Sequence, residues 1–113
     1  MNDKERQALE HIISYCQKAE TAQRRFFASR EAFDEEDFYR DGCAFYVQQI
    51  GEWVKELSEE FMHTNSQIAW RNIRGIRNII AHAYEKVDPN VMWEIISEDL
   101  PQLKNACETL LRE

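Results

Sequence analysis

The sequence predicts an all-α fold, an antiparallel up-and-down bundle of four to five helices. Three observations lead there. Only three glycines and two prolines occur in 113 residues, too few turn formers for a fold of many short strands. Apolar residues recur at three- and four-residue steps over long stretches, which marks one buried helical face. No run shows the apolar–polar alternation of a strand.

The first helix is expected from about residue 3 to 28, with Leu9, Ile12, Ile13, Cys16 and Ala19 on its buried face. Asn2 and Glu5 have the spacing of a capping box, and Phe26 and Phe27 carry the apolar character to its end. SREAFDEED then predicts a break, with Asp34 or a neighbour capping the next helix. That second helix is expected from about 35 to 61. Cys43, Val47, Ile50, Val54, Leu57 and Phe61 form one stripe, and Phe38, Phe45 and Trp53 form another. Two stripes imply burial on two sides, centrally in the bundle or at a subunit interface. Gly42 and Gly51, inside this helix, are expected where another helix comes close, a local irregularity being the alternative. MHTNSQ reads as a polar loop with His63 facing solvent.

A third helix is expected from Ala69 to Tyr84. Asp88-Pro89 starts a fourth, aspartate as cap and proline at the first helical position. Val91, Met92, Trp93, Ile95 and Ile96 follow, Pro101 ends or kinks the helix, and Leu103, Ala106, Cys107, Leu110 and Leu111 line a last one.

The length suits one domain spanning residues 1–113. MNDKERQALE lacks the apolar core of a signal peptide, and no apolar run approaches the roughly 20 residues of a membrane span. A soluble, cytoplasmic protein is therefore expected, with no membrane partner. Cys16, Cys43 and Cys107 are odd in number and form no CxxC pair. They read as core residues rather than disulfide or zinc ligands. A net charge of −7 argues against duplex DNA, which is bound through many phosphate contacts. The charge is unevenly spread, however. From Phe61 through Tyr84 there is no Asp or Glu, while Arg71, Arg74 and Arg77 all lie there. Such a local cationic patch suits a compact anion or a short stretch of RNA; its plainer reading is a solvated face whose arginines pair with acidic neighbours.

Within that stretch, IRNIIAHAYE at 76–85 breaks an apolar helix with Arg77, His82 and Tyr84. Setting Trp70 at zero, about 100° per residue places Ile73, Ile76, Ile80 and Ala83 at roughly 220–300°, the buried face. Arg71, Arg74, Asn78 and His82 fall at roughly 40–120°, a polar stripe. Arg77 and Tyr84 share the border at roughly 320–340°. Asn78, one turn before His82, is placed to orient the imidazole. Plain alternatives exist for each residue: a histidine near a helix C-terminus, an arginine laying its stem on apolar surface, a tyrosine with a wet hydroxyl.

At these residues the sequence resembles the HepT-like ribonuclease toxins of the HEPN (higher eukaryotes and prokaryotes nucleotide-binding) superfamily. Their motif of Arg, four residues, His, one residue, Tyr is matched by Arg77, His82 and Tyr84, with Asn78 as the polar residue after the arginine. The likeness extends through IGEWVKELSEEF, IAWRNIRGIRN, AYEKVD and VMWEIISEDLPQL, and more loosely through the first helix; residues 22–40 match no family pattern. The resemblance implies a homodimeric helical bundle and a metal-independent ribonuclease without cofactors. Arg77 and His82 would be catalytic, with Asn78 and Arg74 supporting. It also implies an antitoxin partner, a minimal nucleotidyltransferase of the MntA type, that transfers AMP to Tyr84.

The side chains suit that chemistry. RNA supplies its own nucleophile, the 2′-OH, so cleavage needs proton transfer and charge stabilisation. Imidazole serves the first and guanidinium the second. The third helix offers no carboxylate cluster for a two-metal mechanism. Each chain brings one histidine to the site, so acid and base together call for a second copy. Two other readings use the same residues: a non-catalytic helical nucleotide-binding partner of a nucleotidyltransferase, and an interaction module in which they only stabilise a dimer.

Overall fold

Asn2 and Glu5 open the first helix with the capping box their spacing predicts: Asn2 Oδ1 accepts from the Glu5 amide (2.7 Å) and Glu5 Oε1 from the Asn2 amide (3.0 Å). In the computed structural model, which describes residues 1–113, that helix, α1, spans Asp3–Arg25. It is followed by α2 (Arg30–Glu35), α3 (Asp37–Val54), α4 (Glu59–Thr64), α5 (Trp70–Ala83), a 3₁₀ turn (Tyr84–Lys86) and α6 (Pro89–Glu94). A π turn (Ile95–Asp99) then leads into α7 (Leu100–Arg112). The all-α expectation holds. Four rods, α1, α3, α5 and the α6–α7 run, carry the bundle, with α2 and α4 as short additions. α1 packs on α3 and α7, and α3 packs on α5. No helix is long and apolar enough to cross a membrane.

Several boundaries differ from the sequence reading, each for a local reason. α1 stops at Arg25 because Phe27 and Ala28 turn into the left-handed region, at φ 57° and 48°, which non-glycine residues seldom enter. Phe26 turns inward and stacks on Tyr39 at 4.4 Å, whereas Phe27 is 90% exposed. The expected break at SREAFDEED is itself helical. Ser29 caps α2 by accepting from the Ala32 amide (3.1 Å), and Phe33 is fully buried edge-on to Tyr39. Asp34 caps nothing and pairs with Arg30 at 2.9 Å. α3 ends at Val54, and Ser58 restarts the chain as α4, so part of the MHTNSQ loop is helical, with His63 exposed as expected.

The main stripe of α3 and α4, from Cys43 to Phe61, is buried throughout. The second stripe is not: Phe38 and Phe45 face solvent and Trp53 is half-buried, stacked on His11 at 4.0 Å. Within this chain α3 is therefore buried on one side only. Gly42 has open space where a side chain would go, so no helix approaches it. Pro101 does not end its helix. The π turn before it widens the helix where proline lacks an N–H and its ring would meet the carbonyl four residues back. Cys16, Cys43 and Cys107 are free and buried, and burial pushes each thiol up to about 12.

Glu5 is the one charged residue buried in the bundle. Its second oxygen accepts from the Ser58 hydroxyl (2.6 Å) and amide (3.2 Å), tying the start of α1 to the start of α4. The Ser58 hydroxyl bond, reinforced by the Asn2 amide, holds its carboxyl below the ordinary carboxylate value. Glu5→Ala is expected to destabilise the fold by about 2 kcal/mol at neutral pH, the scale of hydrogen bonds to a buried charge. Because the folded pKa is depressed, the Glu5 contribution is complete above the unfolded value of about 4.3 and fades as pH falls through the folded one. Urea unfolding of both proteins should show the gap at pH 7 and a narrower one in acid. A gap that is constant with pH would contradict this role.

Candidate active site on the fifth helix

Gly51 sets the spacing between α3 and α5. A Cβ at that position would overlap the Arg77 Cβ and lie 2.6 Å from its Cγ. The stem of Arg77 thus occupies the space a side chain would fill, and only glycine admits it there. The guanidinium then meets the next residue of α3. Nε donates to Glu52 Oε1, Nη2 forms an ion pair with the same oxygen, and Nη1 donates to Asn78 Oδ1 at 2.9 Å. Three of the five guanidinium N–H groups are engaged, and two remain for a ligand. The side chain is 18% exposed, which leaves it held but reachable. The Arg77 hydrogen bond holds the Glu52 carboxyl below its ordinary value, and Lys55 lies 3.5 Å away on the other oxygen.

The remaining motif residues take separate places. His82 is exposed near the end of α5, on the far side of the helix from the α3 contact. At ideal helical spacing Arg77 and His82 of one chain lie about 140° apart round α5. Asn78 serves the guanidinium rather than the imidazole, contrary to the expectation from the four-residue spacing. Arg74 faces Glu59 loosely at 3.7 Å, and Arg71 is exposed without an ion pair. Acidic neighbours therefore pair with two of the three arginines, one tightly.

Tyr84 leaves the helix at the 3₁₀ turn, and its hydroxyl donates to Asp41 Oδ1 at 2.6 Å. It lines a pocket of about 280 Å³ with Arg40, Asp41, Phe33 and Met92. Burial first, then the Asp41 bond, push its phenol well above the ordinary tyrosine value. Asp41 and Glu52 lie on one face of α3, eleven residues and so about 16 Å apart. Arg77 and Tyr84 therefore face the same helix, as their shared border position predicts, but are anchored three turns apart rather than side by side. No three His, Cys, Asp or Glu side chains are grouped so as to hold a metal ion.

Sequence reasoning missed Glu52 and Asp41, whereas the close helix approach expected at Gly51 holds, the neighbour being the Arg77 stem of α5. The pair Gly51-Glu52 in the middle of a helix was the available signal: a gap for a neighbouring stem beside an acid for its head. Asp41 gave none, since it adjoins the segment 22–40 that matches no family pattern.

An all-α bundle presenting this arginine, asparagine, histidine and tyrosine along one helix and its end defines a HEPN-like helical protein. More specifically, the chain belongs to the ribonuclease HepT-like family, whose sequence model matches residues 6–110. It is 32% identical over 111 residues to a "Putative RNase" of Caldanaerobacter subterraneus subsp. tengcongensis, a match covering 93% of this chain and 92% of the relative. It is similar to a "Probable ribonuclease HepT" of Thermococcus cleftensis, 38% identical over 64 residues, 57% of this chain and 58% of that one. A "Putative RNase" of Methanocaldococcus jannaschii is 25% identical over 85 residues, 71% of this chain and 73% of the relative. No solved structure matches.

Proposed function

We propose that the protein is a metal-independent endoribonuclease toxin acting as a homodimer, and that a nucleotidyltransferase antitoxin silences it by moving AMP onto Tyr84. The observation that carries the nuclease reading is the state of Arg77: seated by Gly51, fixed by Glu52 and Asn78, with two N–H groups still free. A guanidinium held in place before substrate arrives stabilises charge as it builds on a phosphate without reorganising. In a two-fold dimer, two copies of α5 bring two arginines and two histidines to one cleft.

In that cleft His82 takes the proton of the ribose 2′-OH, whose oxygen attacks the adjacent phosphorus. The bond from phosphorus to the 5′ oxygen breaks, and the partner subunit's His82, protonated, delivers a proton to the leaving oxygen. The products are a 2′,3′-cyclic phosphate and a free 5′-OH. Arg77 supports the dianionic phosphorane between them. Cleavage of RNA by the purified protein in EDTA, with a cyclic phosphate on the 5′ fragment, is the expected result. Equal cleavage by a His82→Ala preparation would assign the activity to a contaminant.

Silencing at Tyr84 is supported by the Asp41 contact. A phenol held above its ordinary pKa does not ionise at neutral pH and needs its proton removed as it attacks. Asp41 Oδ1, 2.6 Å away, is the group in place to take it. The tyrosine oxygen bonds to the α-phosphorus of ATP, pyrophosphate departs and the proton passes to Asp41. The added nucleotide, bulky and anionic, lies along α3 on the side that holds Arg77, where it competes with RNA by charge and volume. Tyr84→Phe is expected to keep nuclease activity within about threefold yet resist silencing by the partner. A Phe variant silenced as fully as the wild type would overturn the acceptor assignment.

A further inference from the structure

A second cationic feature lies at the opposite end of α5 from His82. His63 on α4 with Arg71 and Arg74 on α5 line a pocket of about 330 Å³, floored by Met62, Ile68 and Trp70. Glu59 is the one acid on its rim, 81% exposed and 3.7 Å from Arg74. Arg71 has no carboxylate partner. Two arginines and a histidine thus meet a single, loosely held acid in one pocket, on a chain whose net charge is −7. The pocket is also built rather than incidental. Its Trp70 floor is fixed by a hydrogen bond from Nε1 to the Asn65 carbonyl (3.2 Å), and Met62, Ile68 and Trp70 are all buried.

Arg71 and Arg74 lie on the same stripe of α5 as Asn78 and His82, eight residues separating Arg74 from His82. That is about 12 Å along the axis, too far to serve the phosphate at His82 and suited to another on the same strand. We infer that the His63–Arg71–Arg74 pocket is a second phosphate subsite, gripping the RNA backbone away from the bond that is cut. It rests on the ribonuclease reading and adds the direction in which substrate lies: along α5, from His82 toward α4. The subsite holds backbone phosphate, so it contributes affinity and register rather than base choice.

The test uses a fluorescently labelled single-stranded RNA of defined sequence. Cleavage is followed with wild type, Arg71→Ala, His63→Ala and Arg71→Lys. Binding is followed by anisotropy against salt in a His82→Ala background. Arg71→Ala should raise KM about tenfold with kcat within twofold, and Arg71→Lys should restore most of the affinity. The slope of log affinity against log salt should fall by about 0.7 for each phosphate of the single strand that is no longer neutralised. His63→Ala should act in the same direction, more weakly. If the wild type cleaves and both alanine variants keep its KM and salt slope, the subsite is refuted while the nuclease reading stands. If the wild type neither binds nor cleaves RNA, both fall together.

Discussion

Replacing His82 with alanine is expected to lower kcat/KM for RNA about 10³-fold while leaving the bundle folded. Positioned general acid or base catalysis contributes about 10²–10⁴-fold, and in a symmetric dimer one substitution removes both roles at once. The fold should survive because His82 is exposed and helps to bury nothing; surface changes of this kind typically cost within about 0.5 kcal/mol. Cleavage rate and thermal unfolding measured on one preparation separate the two effects. A large rate loss at unchanged Tm places His82 in the chemistry. An unchanged rate removes it from the mechanism, and a matching fall in Tm would make it structural.

Arg77→Lys is expected to cost about 10²-fold in kcat, despite keeping the charge. Lysine offers a point charge where Arg77 divides its donors between Glu52, Asn78 and a phosphate. The shorter ammonium cannot hold Glu52 and face the cleft together, so the stabilisation of developing charge, worth about 10²–10³-fold for one oriented donor, is lost. The stability change should be small, about 1 kcal/mol or less, because Glu52 stays more than a third exposed and is screened by water. Acid reaches the same ion pair from the other side. The Glu52 carboxyl is held low by Arg77, so the pairing is complete above the unfolded glutamate value and disappears as pH falls through the folded one. Activity of the wild type should therefore fall in acid as Arg77 loosens, a component that Glu52→Gln should not show. A lysine variant as active as the wild type would show that charge alone, and not the placement of donors, is what the site requires.

Legibility in the sequence followed how local each feature is. The capping box of Asn2 and Glu5, the start at Asp88-Pro89 and the buried stripe of α3 depend on residues a few positions apart, and the structure bears them out. The end of α1 was hidden because Phe27 and Ala28 take a left-handed turn that glycine ordinarily marks. α2 was hidden because six residues are too few to show a period. Pro101 reads as an end or a kink, and nothing in its neighbours announces the π turn that accommodates it.

The same divide runs through the candidate site. The helical wheel put Arg77 and Tyr84 together on the border of α5, and both do face α3. Their partners are harder to read, because Glu52 and Asp41 lie 25 and 43 residues away in sequence and meet them through packing, with Gly51 beside Glu52 as the one local hint. Asn78 shows the opposite case. Its spacing suits His82 four residues on, while its Oδ1 accepts from Arg77 one residue before it.

A composite cleft, with Arg77 and His82 from two subunits acting on one phosphodiester, is the central claim. Its most direct test is a heterodimer purified with different tags on wild-type and His82→Ala chains, assayed in EDTA against the wild-type homodimer. A shared site predicts activity far below half of the homodimer, near that of the double mutant, because the one remaining histidine cannot serve both oxygens. Activity of half or more would mean that each chain works alone, and would contradict the composite cleft.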